Sequence, residues 1–160
     1  MTAPAPQPLR RIVVSVQVGS DRLAASDDPV FLGLRGPQGR EFRLAPAKGK
    51  AWRRGEKQTF VLGGPGDPDT NVERPELNDP AAPPIDLLGV EGVYVRKGLD
   101  PIPNVRGHGE LDDRIQIEWI EVELHGPGGG EPLRFARRGP FWLGLVCGLF
   151  IQLAPLEGAG

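Results

Sequence analysis

The residues best suited to chemistry in this chain are carboxylates. Asp21, Asp27 and Asp28 fall in one short stretch, the last two inside the segment AASDDPVFLGLRG at positions 24–36. Calcium takes about six to eight oxygen ligands, and loop carboxylates with neighbouring backbone carbonyls supply that kind of donor. A competing use needs no metal: an Asp side chain at a turn accepts a hydrogen bond from the backbone just ahead of it, and Asp27 is placed to do so. Both readings stand at the level of sequence. Asp67, Asp69 and Asn71 form a DxDxN-like run. It lacks the downstream Gly and Glu that complete an EF-hand loop, so it reads as a polar loop. His108 and His125 are the two histidines and each adjoins a glycine, with no second His at ligand spacing. The sole cysteine, Cys147, lies in an apolar run and reads as a small buried hydrophobe. A zinc site would lack ligands. No Ser sits in a GxSxG elbow, and Cys147 has no His beside it in sequence, so no nucleophile–base pair is visible. The GPGGG stretch at 126–130 precedes no helix and no Lys-Ser/Thr, which excludes a phosphate loop and leaves a flexible connection. The expectation is a binding protein, not an enzyme.

Bulk composition narrows the ligand class. The 160 residues carry 19 basic and 21 acidic side chains, a formal charge of −2. That balance gives no nucleic-acid footprint and no polybasic tract. One cysteine forbids an intrachain disulfide. The opening MTAPAPQPLRR has no apolar leader core, and together these features predict a cytoplasmic protein with a loose tail over 1–8. The 23 glycines and 18 prolines cluster between apolar runs, where they punctuate turns.

Those runs alternate. Ile12, Val14, Val16 and Val18 share one face of a half-buried strand, and Val30, Leu32 and Leu34 repeat the pattern before a Gly36-Pro37-Gln38-Gly39 turn and a return strand with Phe42 and Leu44 inward. Phe60 with Leu62 and Val93 with Val95 mark two more strands. Ile115 and Ile117 are in one phase while Ile120, Val122 and Leu124 are in the other, which predicts a bulge near Glu118 and Trp119. Residues 63–84 are too rich in Pro, Gly, Asp and Asn for regular structure and read as a loop insertion. Residues 141–154 carry no charge, fall short of the ~20 residues of a spanning helix, and read as one extra C-terminal strand, either buried in the core or covered by a partner. Trp119, Trp142, Phe141 and Phe150 are the candidate binding residues, though aromatics of this kind also build cores. The pattern is that of an all-β protein, an antiparallel sandwich or barrel of roughly eight strands.

With those pieces in order, the chain resembles the PLAT, or lipoxygenase-homology, domain. The similar segments are Val16-Gln17-Val18-Gly19, the loop Ala24-Ala25-Ser26-Asp27, the strand from Val30 to Gly36, Trp52-Arg53-Arg54-Gly55 with Thr59-Phe60-Val61-Leu62, Ile117-Glu118-Trp119-Ile120-Glu121-Val122, and the stretch from Phe135 to Trp142-Leu143. The resemblance implies an eight-stranded β-sandwich of two four-stranded sheets that docks on lipid surfaces or proteins, in some members with calcium at one loop end, where Asp27 would match the loop aspartate. The chain departs from the pattern at Arg96-Lys97-Gly98, where members often carry a His-Asp-Asn-like segment, and at Ile115-Gln116, where some carry membrane-inserting aromatics.

The sequence therefore predicts one PLAT-like domain over 9–154, with a tail at 155–160. Its expected function is non-catalytic docking on a protein partner or a peripheral membrane surface, calcium-modulated through Asp21, Asp27 and Asp28. The alternative is a structural subunit that self-associates through the strand at 141–154.

Overall fold

Alternation decides which side chains turn inward. The computed structural model describes residues 5–22, 24–26, 28–98, 114–144 and 148–156. Strand β1 (Arg11–Val18) buries every second residue, Ile12 to Val18, just as its pattern requires. The other strands are β2 (Val30–Arg35), β3 (Glu41–Arg43), β4 (Lys57–Leu62), β5 (Gly92–Lys97), β6 (Ile115–His125), β7 (Leu133–Leu143) and β8 (Phe150–Leu156). All pairings are antiparallel, in the order β3-β2-β5-β8-β7-β6-β1-β4. A single 3-10 turn, Leu87–Gly89, interrupts the β structure among the described residues.

Strand β8 turns this ribbon of strands into two layers. Its first half pairs with β5, from Phe150 to Leu153, and its second half pairs with β7, from Ala154 to Leu156. The sheet curls across β8, so that Leu32, Val93 and Val95 of one layer face Val14, Ile120 and Val122 of the other in one buried cluster. The phase slip in β6 is real. Gln17 and Val18 of β1 face Trp119 and Ile117, so Glu118 is the extra residue of a bulge. Opposite it, β7 adds a residue of its own at Gly139-Pro140.

Three sequence expectations change. The apolar run 141–154 is not one strand. Gly144 and Gly148 bracket a reversal, with Gly144 N–H donating to the Gly148 carbonyl at 2.9 Å and Gly148 at φ 102°, so the run ends β7 and begins β8. Its apolar side chains Phe141, Leu143 and Leu153 are buried, and β7 and β8 lie inside the sheet order, not at an edge. The N-terminal tail is tied down at its end: Leu87 N–H donates to Gln7 O at 2.8 Å, and Gln7 N–H donates to Asp86. Residues 155–156 belong to β8.

The insertion 63–84 is irregular but bonded. It closes the two edge strands, which would otherwise present unpaired backbone. Asn71 mimics a peptide group against β4, accepting from Val61 N–H at 2.8 Å and donating to the Thr59 carbonyl at 2.8 Å. Buried Asn78 accepts from Arg43 N–H of β3 at 2.7 Å and donates to the Glu73 and Arg74 carbonyls. Asp67 anchors the loop to β1 by accepting two hydrogen bonds from the Arg11 guanidinium. The Asp69 backbone N–H, first, and Arg11, after it, hold the Asp67 carboxyl below its ordinary range.

Candidate docking site

Register brings one end of the sandwich together. Val18, Arg43, Lys97 and Leu143 end their strands there, and Val30, Lys57, Ile115 and Phe150 begin theirs. The connections 19–29, 44–56, 98–114 and 144–149 all leave from this end.

Just below the loops, the outer face of one layer carries a cross-strand row of alternating charge and ring. Arg43 of β3 faces Phe31 of β2, Phe31 faces Arg96 of β5, and Arg96 faces Phe150 of β8. The Arg96 guanidinium lies over the Phe31 ring at 4.4 Å, a cation–π contact. Glu41 orients Arg96 by accepting from its Nε and Nη2, both at 2.8 Å, and it also accepts from the Tyr94 hydroxyl at 2.9 Å. Those bonds, Arg96 first, keep the Glu41 carboxyl below its usual range, while burial first, and Glu41 next, raises the Tyr94 phenol. Tyr94 lies flat because its partner across β2 is Gly33. A Cβ there would sit 1.9 Å from the ring. Tyr94 in turn packs on Phe150, ring centres 4.7 Å apart, and Phe150 stays 50% exposed.

The other layer repeats the theme. Lys57, Gln17, Trp119 and Arg138 form a row across β4, β1, β6 and β7. Lys57 Nζ stands 5.5 Å from the Trp119 ring, and Arg114 stands 4.8 Å from the ring of Trp142. A depression of ≈ 460 Å³ is lined by Trp119, Glu121, Ala136, Arg138 and Leu156. The connection 44–56 adds exposed Lys48, Lys50 and Arg54 to the same end.

The predicted binding residues separate. Phe150, Trp119 and Trp142 lie on outer faces at or near this end, the two Trp half-buried. Phe141 points inward and belongs to the core, which removes it as a contact residue. Trp52 is also core, stacked on Phe60 at 5.6 Å with its indole N–H bonded to the Leu44 carbonyl at 3.0 Å. Phe31, Arg43 and Arg96 escaped the sequence reading because only cross-strand register puts them in line.

Of the predicted acidic trio, Asp21 and Asp28 are among the described residues. Asp27 lies outside the described residues, as do His108 and Cys147. Asp21 is exposed. Asp28 forms an ion pair with Lys97, whose side chain is 0% exposed against 9% for Asp28. Among the described residues no three His, Cys, Asp or Glu side chains gather as a metal group. Asp28 as it stands does not fit a calcium ligand, because an ammonium already lies against its Oδ2. Lys97 had a signal in the sequence: it continues the inward phase of Val93 and Val95.

No family model matches the chain, and no curated protein matches it in sequence. Solved structures do match. The alpha-toxin of Clostridium absonum superposes with a TM-score of 0.57 at 12% identity over 95% of this chain, and an alpha-toxin of an avian strain of Clostridium perfringens with 0.57 at 13% over 96%. A LOX variant solved in complex with arachidonate gives 0.52 at 14% over 92%. The chain spans 33% of the toxin chains and 16% of the LOX chain. Among the described residues no helix is long and apolar enough to cross a membrane. What these similarities establish is the architecture: the chain folds as a PLAT-like antiparallel β-sandwich of eight strands.

Proposed function

We propose that this chain is a non-catalytic docking module that seats its basic, aromatic end on an anionic lipid surface. The observation that carries this reading is the pair of cross-strand rows, Arg43-Phe31-Arg96-Phe150 and Lys57-Gln17-Trp119-Arg138, set at the same end of the two layers. Amphipathic aromatics suit the boundary between headgroups and acyl chains, and basic side chains near an anionic surface contribute about 1 kcal/mol each. Likeness of fold to the toxins and to a LOX solved with arachidonate agrees with a lipid-facing role. Self-association through 141–154 is the alternative reading, with half-exposed Phe150 as its contact.

Co-sedimentation with vesicles tests the proposal. Binding to vesicles containing phosphatidylserine, and much weaker binding to pure phosphatidylcholine, is expected, falling steeply as salt shortens the screening length. Phe150→Ala removes a half-exposed ring worth about 1 kcal/mol of further burial, so affinity should fall roughly fivefold to tenfold. Equal binding to both vesicle types, or to neither, would refute the assignment.

A further inference from the structure

We infer that Lys97 supplies from inside the fold the cation that the acidic loop would otherwise draw from solvent, so that docking runs without calcium. The geometry is specific. Lys97 ends β5 on the inward face, fully buried, and its ammonium meets Asp28 Oδ2 and lies 3.4 Å from the Gly98 carbonyl. Asp28 is itself held in place, its backbone N–H donating to Ser26 Oγ at 3.0 Å. A calcium ion needs several oxygens at about 2.3–2.6 Å. Here the Asp28 carboxylate is already engaged by an ammonium, and a second, divalent charge beside that ammonium would be repelled with little solvent to screen it. Lys97 cannot swing away cheaply, because a displaced ammonium would be left unpaired among apolar side chains. Asp28 is thus braced permanently by Lys97 and Ser26, not held by an ion.

The vesicle arm of the test rests on the docking reading above, whereas the thermal arm does not. Melting of the lipid-free protein is compared in millimolar calcium, magnesium and EGTA, and co-sedimentation with phosphatidylserine vesicles is compared in EGTA and calcium. The expected result is one Tm in all three solutions and vesicle binding in EGTA within about twofold of that in calcium. A Tm rise of several degrees with calcium and not magnesium, the mark of a filled site, overturns the inference. Vesicle binding that appears only with calcium overturns it too, while preserving the docking reading. No binding to any vesicle sinks the docking reading, and the thermal arm still decides the role of Lys97. Lys97→Met should melt lower than the wild type and regain part of the loss with calcium. A folded Lys97→Met protein as indifferent to calcium as the wild type shows that the ammonium is not what keeps the metal out. If that variant does not fold, the wild-type comparison stands by itself.

Discussion

Replacing Lys97 by Met keeps the length of the side chain and removes its charge. The carboxylate of Asp28, 9% exposed, is then left in the interior without its partner. Breaking a buried pair from one side costs about 3–5 kcal/mol. The lower figure applies here, because Asp28 retains a small path to water. A loss of about 3 kcal/mol is ~6–12 °C in Tm for a domain of this size. Adding Asp28→Asn removes the stranded charge, so the double variant should recover to within about 1 kcal/mol of the wild type. Urea unfolding of the four proteins, with unchanged m-values, yields the coupling energy directly. A Lys97→Met loss below about 1 kcal/mol, typical of exposed pairs, would show that Lys97 and Asp28 meet in solvent and would remove the basis for an internal cation.

Asn78→Ala should lower stability by about 1–3 kcal/mol, since it strands the Arg43 N–H and two carbonyls at a buried loop anchor; a neutral result in urea unfolding would mean that 63–84 does not seal the β3 edge. Gly33→Ala should drive the Tyr94 ring off β2 and break its bond to Glu41, lowering Tm and altering tyrosine fluorescence; an unchanged spectrum would contradict the packing. Glu41 titrates lower when folded than unfolded, chiefly through Arg96, so its stabilisation is complete above the ordinary carboxylate value and disappears as pH falls through the lower folded value. Glu41→Gln should flatten that part of the stability–pH curve, and an identical acid limb in both proteins would refute it.

Much of the fold was readable from local pattern. The inward face of β1, the Gly36–Gly39 hairpin turn and the bulge at Glu118 follow from side-chain parity, because a strand exposes alternate residues to opposite faces wherever it lies. The candidate binding residues were half legible. Phe150 and the tryptophans stand out by type, but type does not say which face they occupy, and Phe141 turned inward. The run 141–154 misled because it carries no charge from one strand into the next, which hides a reversal that the glycines alone announce.

Side-chain parity and turn chemistry, taken residue by residue, were enough to specify an all-β chain and most of its strands. Only the assembled sheet decided that Phe31 and Arg96 stand in line, that Asn71 and Asn78 close opposite edges, and that Lys97 meets Asp28 across 69 positions. These are juxtapositions between strands far apart in the chain, set by sheet order and register, and no local window of sequence contains both partners.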